Sequence, residues 1–305
     1  MPDFRRKNVL VTGANGFIGA HLVAALMQRG ANVTCVLRTS GDDWRFRALD
    51  LAPTLILRCD LYDSNKLSML LEPLDIDYAY HLAAERDTMR LAKTDWPRHA
   101  SSLGASVMRA IGGKPVVRFV SLGSSLEILG CKTGRPDTPH GRAKAHDLNS
   151  MRTASKQYDL PFSPTRTHYV YGPLQSDKKL IPQAIRAARQ GHALPLTGSD
   201  VFKRFIFVAD VVEALLTVPD TPAAQDKVQL ITHPQQYSNQ HIVDQIAKLT
   251  GKPISTAPGQ FQARAFDRRD WDLAAAGTPL ANWQPRIQLR DGLRACVEWE
   301  PAELV

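Results

Sequence analysis

No stretch of this chain approaches the roughly 18–20 consecutive apolar residues that a bilayer-spanning helix needs, so no membrane partner is expected. The four cysteines, Cys35, Cys59, Cys131 and Cys296, are scattered, with no CxxC pair and no Cys/His ligand spacing. A metal centre is therefore not expected, and free thiols in a cytoplasmic protein are. Low-complexity segments and repeats of fixed period are also missing. The opening "MPDFRRKNVLVTG" has charges and then a short apolar run, but the run breaks at Gly13 and continues as an amphipathic helix, unlike a targeting peptide. Nor are the basic residues gathered in one block, although the formal charge is +8 and the pI near 9.4. That distribution points away from nucleic acid and towards an anionic small molecule. What is present is ordinary for a globular protein, with 44% apolar and 22% charged residues over a length of 305.

The first 170 residues alternate between two periodicities. Short β-rich runs recur at 8–12, 32–38, 54–59, 77–84 and 116–123. Helical patterns lie between several of them, clearest in "FIGAHLVAALMQRG" (17–30), where Ile18, Leu22 and Leu26 share an apolar face. Crossovers of this length imply parallel pairing and hence an α/β fold with a doubly wound sheet. After about residue 170, helical stretches at 180–191 and 239–251 sit among proline-containing loops. We expect residues 1–170 to bind a dinucleotide and 171–305 to form mainly a smaller substrate-binding cap, interleaved with the first part. A cleft beyond the carboxyl ends of the strands is the expected active site.

The strongest local signal is "VLVTGANGFIGAHL" (9–22), where Gly13, Gly16 and Gly19 lie between an apolar strand and a helix. Glycines let the backbone approach a pyrophosphate, and the helix amino end offers free N–H donors. The second strand ends in Arg38, Thr39 and Ser40, where an acidic residue would bind an unphosphorylated ribose. A guanidinium beside two hydroxyls suits a 2′-phosphate, which favours NADP over NAD. Asp42 and Asp43 follow closely and leave NAD as the alternative.

On these residues the chain resembles the extended short-chain dehydrogenase/reductase family of NAD(P)-dependent sugar epimerases, dehydratases and reductases. "TGANGFIG" looks like the family's cofactor loop, "CDLYD" (59–63) the segment facing the adenine, and "HLAA" (81–84) the fourth-strand end that lines the cofactor. "HYVYGP" (168–173) is similar to the loop that meets the nicotinamide. "KRFIFVADVVEAL" (203–215) and "NWQPRIQLRDGLRACVEW" (282–299) resemble the late strand–helix unit and the carboxyl-terminal helix. The resemblance implies a Rossmann-type fold. It also implies cofactor contacts from Gly13, Asn15, Gly16, Phe17, Ile18, Gly19, Arg38, Asp60, Leu61, Ala83, Lys144, Thr167 and Tyr169.

The family's chemistry rests on a Ser/Thr and on Tyr and Lys spaced YxxxK. The phenol exchanges a proton with the reacting oxygen, the lysine holds the ribose and lowers the phenol's pKa, and the serine hydrogen-bonds the same oxygen. Here Ser125 matches the serine, with Ser124 as the fallback, and Lys144 matches the lysine. The tyrosine position is His140, in "DTPHGRAKA" (137–145). Three readings stay open. His140 replaces the phenol, since imidazole has an ordinary pKa of about 6.5, although a neighbouring Lys144 disfavours its charged form. Oxidoreduction is lost and a cofactor-binding scaffold or RNA-associated relative remains. Tyr169 or Tyr171 supplies the proton instead.

A second departure is Ser101, which stands where the family carries Asn. Glu127 falls where related dehydratases and decarboxylases place a carboxylate base, but Leu126 replaces the aspartate usual in one dehydratase subgroup. We take Glu127 as structural or substrate-contacting. Arg204, on the strand it shares with Lys203, and Lys178 and Lys179 suit the pyrophosphate of a nucleotide sugar by charge and location. His81 and His168 lack ligand spacing and are assigned to packing or the cofactor loop. The resemblance also implies a homodimer through helices near 98–112 and 141–157.

Overall fold

The computed structural model describes residues 2–84, 102–128, 136, 138–196, 201–258 and 276–299. In chain order its elements are β1 (Asn8–Thr12), α1 (Phe17–Gln28), β2 (Asn32–Leu37), α2 (Trp44–Ala48), β3 (Leu55–Arg58), α3 (Ser64–Leu71), β4 (Tyr78–His81), α4 (Leu103–Ala110) and β5 (Arg118–Ser124). They continue as α5 (Pro139–Gln157), β6 (Phe162–Thr167), β7 (Tyr169–Tyr171), α6 (Leu180–Gln190), β8 (Leu194–Leu196), β9 (Phe202–Lys203), β10 (Phe205–Phe207) and α7 (Val208–Thr217). The last are β11 (Gln229–Ile231), β12 (Tyr237–Ser238), α8 (Asn239–Thr250), β13 (Thr256–Pro258), β14 (Thr278–Pro279) and α9 (Leu289–Glu298).

The chain forms two compact units and passes between them more than once. The first comprises Met1–Thr167, Val212–Ile231 and Ala274–Trp283. It holds an eight-stranded sheet in the order β14-β11-β6-β5-β4-β1-β2-β3, parallel throughout. The apolar runs read from the sequence are these strands, because a parallel sheet covered on its faces has little use for polar alternation. Leu67, Val107, Met108, Leu148 and Met151 of α3, α4 and α5 cluster with Leu10, Val36, Phe119 and Phe162 of the sheet. Truncating any one such buried leucine to alanine costs about 2–5 kcal/mol.

Strand order reverses between β1 and β4, where chain connections leave in opposite directions and open a crevice at the strands' carboxyl ends. Helix starts around that edge are fixed by side chains. Ser102 accepts from Ala105 N to cap α4, and Thr138 accepts from Gly141 N to cap α5, with Pro139 at the first helical position.

The second unit comprises His168–Val211, Thr232–Leu273 and Gln284–Val305. Its core joins Ile181 and Ile185 of α6, Ile242 and Ile246 of α8 and Leu289 and Leu293 of α9 around Tyr171 and Phe205. Buried Asp210 accepts from Arg286 N and Ile287 N, both at 3.0 Å, which anchors the segment leading into α9. Cys35, Cys59 and Cys296 are free and buried, while Cys131 lies outside the described residues.

Candidate active site

The glycine loop follows β1 directly. Gly13 has φ +68°, in the left-handed region, and a Cβ there would sit 2.6 Å from Ala83 N. A Cβ on Gly19 would sit 2.2 Å from Gly13 O, so the loop and the first turn of α1 touch through bare backbone. Gly16 is the N-cap of α1 and gives no side-chain cap, which leaves the N–H groups at Phe17, Ile18 and Gly19 directed out of the helix start. Ala83 therefore borders the same cradle. At the end of β6, buried Thr167 Oγ1 has no hydrogen-bond partner among the described residues. A pyrophosphate with its ribose fits a bare-backbone cradle of this kind.

The catalytic candidates lie on the turn after β5 and on the first turns of α5. Ser125 opens a 3₁₀ turn, Ser125–Glu127, and is 3% exposed. His140 is the second residue of α5 and Lys144 lies one turn further along the same face. The helix packs closely on the turn because position 141 is glycine: a Cβ there would meet Leu126 O at 2.2 Å. Lys144 Nζ donates to Leu122 O at 2.8 Å, tying the ammonium to β5, the strand that leads into the Ser125 turn. Burial pushes the Lys144 ammonium below its ordinary pKa, against the opposing pull of Asp147 and Glu127.

A family model described as NAD dependent epimerase/dehydratase family matches residues 9–232. The chain belongs to that family. Mouse dTDP-D-glucose 4,6-dehydratase is 24% identical over 98% of this chain and 90% of its own length. The structure of MoeE5 in complex with UDP-glucuronic acid and NAD is 30% identical, with a TM-score of 0.74 over 96% of this chain and 98% of that one. UDP-glucuronic acid 4-epimerase from Bacillus cereus shares the fold at a TM-score of 0.79 and 23% identity, over 95% of this chain and 98% of that one. An enzyme of the epimerase/dehydratase class is the consequence, on the Rossmann-type sheet described above.

Just after β2, Arg38, Thr39 and Ser40 are all exposed. Asp42 Oδ1 accepts from Trp44 N at 2.9 Å and from Arg47 Nη2 at 3.1 Å. Asp43 pairs with Arg58 and also accepts from Asn15 Nδ2 at 3.4 Å. Exposed Asp60 accepts from Tyr62 N at 3.0 Å, and Leu61 beside it is buried.

Glu127 is placed differently from a free base. One carboxylate oxygen accepts from Ser124 N at 2.6 Å, closing a capping box on the turn. The other accepts from Arg166 Nε at 3.0 Å and Nη2 at 2.7 Å, and Arg166 Nη1 reaches Ala276 O at 2.6 Å. This buried pair holds the Ser125 turn to β6. Removing either partner would strand the other charge in the interior. In the second unit, Arg204 Nη1 donates to the carbonyls of His233 and Pro234, and Lys203 Nζ lies 4.8 Å over the Tyr169 ring. Tyr171 is buried, and burial raises its phenol far above the ordinary value. Ser101 lies outside the described residues.

Sequence reasoning missed a buried network beneath Lys144. Asp147 Oδ1 accepts from Gly104 N at 3.0 Å and from Ser102 Oγ at the start of α4. Its other oxygen lies 3.4 Å from His81 Nε2, and His81 Nδ1 is 2.8 Å from Thr12 Oγ1. Burial by itself would raise the Asp147 carboxyl. The close His81 ring, the charge of Lys144 and the hydrogen bond from Ser102 outweigh it and hold the pKa to about 2. The available signal was the spacing: Asp147 follows Lys144 by one helical turn. His81 ends β4, directly across from Thr12 in the register of β1 and β4. Among the described residues no group of three or more His, Cys, Asp or Glu could hold a metal ion.

Proposed function

We propose that this protein is an NADP-dependent reductase or epimerase acting at a hydroxyl or keto carbon of a nucleotide sugar. The observation that supports the reading is the packing of α5 on the Ser125 turn, with Lys144 bonded to the strand that ends beside Ser125 and His140 one turn before it on the same helix face. The nicotinamide cofactor, when bound, supplies or accepts the hydride. Ser125 donates a hydrogen bond to the reacting oxygen, and a His140 ring nitrogen gives or takes that oxygen's proton. Lys144 holds the ribose. Gly13, Gly16 and Gly19, with Asn15, Phe17 and Ile18, cradle the pyrophosphate, while Asp60 and Leu61 border the adenine and Ala83 and Thr167 line the cofactor.

Arg38 supports NADP, because it stands exposed just after β2 while the less exposed of the two nearby carboxylates, Asp43, is engaged by Arg58. Leu126 and Glu127 favour reduction or epimerisation over dehydration. Leucine has no proton to give a departing hydroxyl, and the Glu127 carboxylate is engaged by Arg166. Arg204, with Lys178 and Lys179, is what we assign to the substrate's phosphates. The relatives named above support a nucleotide-linked sugar as the substrate class.

The first test is fluorescence titration of the purified protein with NADPH and NADH. Tight NADPH binding and weak NADH binding are expected; binding of neither returns the chain to a non-redox scaffold. With a substrate found by screening, His140→Ala should leave NADPH binding intact and lower turnover by about 10²–10⁴-fold. Unchanged turnover removes His140 from the mechanism and turns attention to Tyr169.

A further inference from the structure

We propose that Arg58 sets the choice between the two dinucleotides by occupying Asp43 and holding the turn that presents Arg38. This rests on the NADP reading above and names the residue that enforces it. A carboxylate just beyond β2 selects an unphosphorylated ribose, since it accepts from the 2′-hydroxyl and repels a 2′-phosphate. The chain has two such carboxylates, in Asp42 and Asp43, and they are held in unequal ways. The Asp42–Arg47 pair is open to water, with side chains 65% and 63% exposed, so its hold on the carboxylate is weak. Asp43 is only 21% exposed and is paired with Arg58.

Arg58 does more than neutralise. It is the last residue of β3, and its Nη1 lies 3.4 Å from both Arg38 O and Gly41 O, whose turn is closed by Gly41 N donating to Arg38 O at 3.1 Å. One guanidinium thus spans the carboxylate and the backbone on either side of the turn. The turn is also strapped to the phosphate cradle, because Asn15 Nδ2 donates to Asp42 O at 3.0 Å and Arg45 Nη1 donates to Asn15 O at 3.2 Å. Arg47 and Arg58 thus hold the loop's two carboxylates, while Arg38 stands exposed beside them. With Arg58 in place the loop favours a phosphate. Without it the half-buried Asp43 carboxylate is released towards the ribose, and the Arg38 turn loses its brace.

The experiment measures Kd for NADPH and NADH on wild type, Arg58→Ala, Asp43→Asn and the double variant. Arg58 is exposed, and circular dichroism on each variant checks that it has folded. Arg58→Ala should lower the NADPH-over-NADH preference by about 10- to 100-fold, the loss of one charge-assisted interaction and the gain of a repulsion. Asp43→Asn alone should leave the preference unchanged or raise it. The double variant should regain most of what Arg58→Ala lost, since position 43 then has no charge to release and Asp42 is held as in the wild type. An unchanged preference in Arg58→Ala overturns the proposal. So does a loss that Asp43→Asn fails to restore even in part, because Arg58 would then act through the Arg38 turn or on the phosphate and not by occupying Asp43. The wild-type ratio is a separate readout: a preference for NADH sinks the NADP reading, while the shifts between variants still measure what Arg58 does.

Discussion

Asp147 shows how one buried carboxylate can serve three elements. It caps the start of α4 through Gly104 N and Ser102, faces His81 at the end of β4, and lies one turn beyond Lys144 on its own helix. A carboxyl held at about 2 in the folded protein and near 3.8 when exposed favours folding wherever it is ionised in both states. The contribution is about 2 kcal/mol, fully present above roughly pH 4 and lost as pH falls through the folded value. Asp147→Asn should therefore destabilise the protein by about that amount in urea unfolding at pH 7, and the gap to wild type should shrink at pH 3. A gap that is the same at both pH values would mean that hydrogen-bond geometry rather than charge carries the effect. Because Asp147 also helps to keep Lys144 charged, the variant's NADPH affinity should weaken at high pH before that of wild type does.

At the level of elements, what was legible in the sequence was local. The β1–loop–α1 unit could be read because its apolar strand, three glycines and amphipathic helix lie within 22 residues, and the α5 start because Thr138, Pro139 and the His140–Lys144 spacing are adjacent. The Glu127–Arg166 pair could not, since its partners are 39 residues apart and meet only when β5 and β6 pair. Arg58 was hidden for the same reason, 15 residues from the carboxylate it holds. Gly141 lay in plain view, yet its role depends on a neighbour, the carbonyl of Leu126, that only the folded chain supplies. Gly141→Ala should push α5 off the Ser125 turn and cost about 1–3 kcal/mol in chemical denaturation, although alanine is the better helix former. A stabilised variant would show that the turn gives way easily and that close packing there does not position Ser125.

On the scale of the whole molecule, the charge of +8 and the surface of α5 bear on self-association. The resemblance to the family implies a homodimer built on the helices labelled here α4 and α5. The exposed stripe of α5, however, carries Asn149, Arg152, Thr153 and Lys156, at successive helical repeats, with no large apolar side chain among them. A two-fold dimer through this stripe would bring Arg152 and Lys156 of one protomer close to the same residues of its partner. Such an interface gains little from apolar burial and is opposed by like charges. Salt should therefore promote it, because the Debye length falls from about 30 Å at 0.01 M to about 3 Å at 1 M and removes the repulsion. Sedimentation at low micromolar concentration should find mainly monomer in dilute buffer and a rising share of dimer as salt is added. A dimer that is tight in dilute buffer and indifferent to salt would place the interface on an apolar surface away from this stripe.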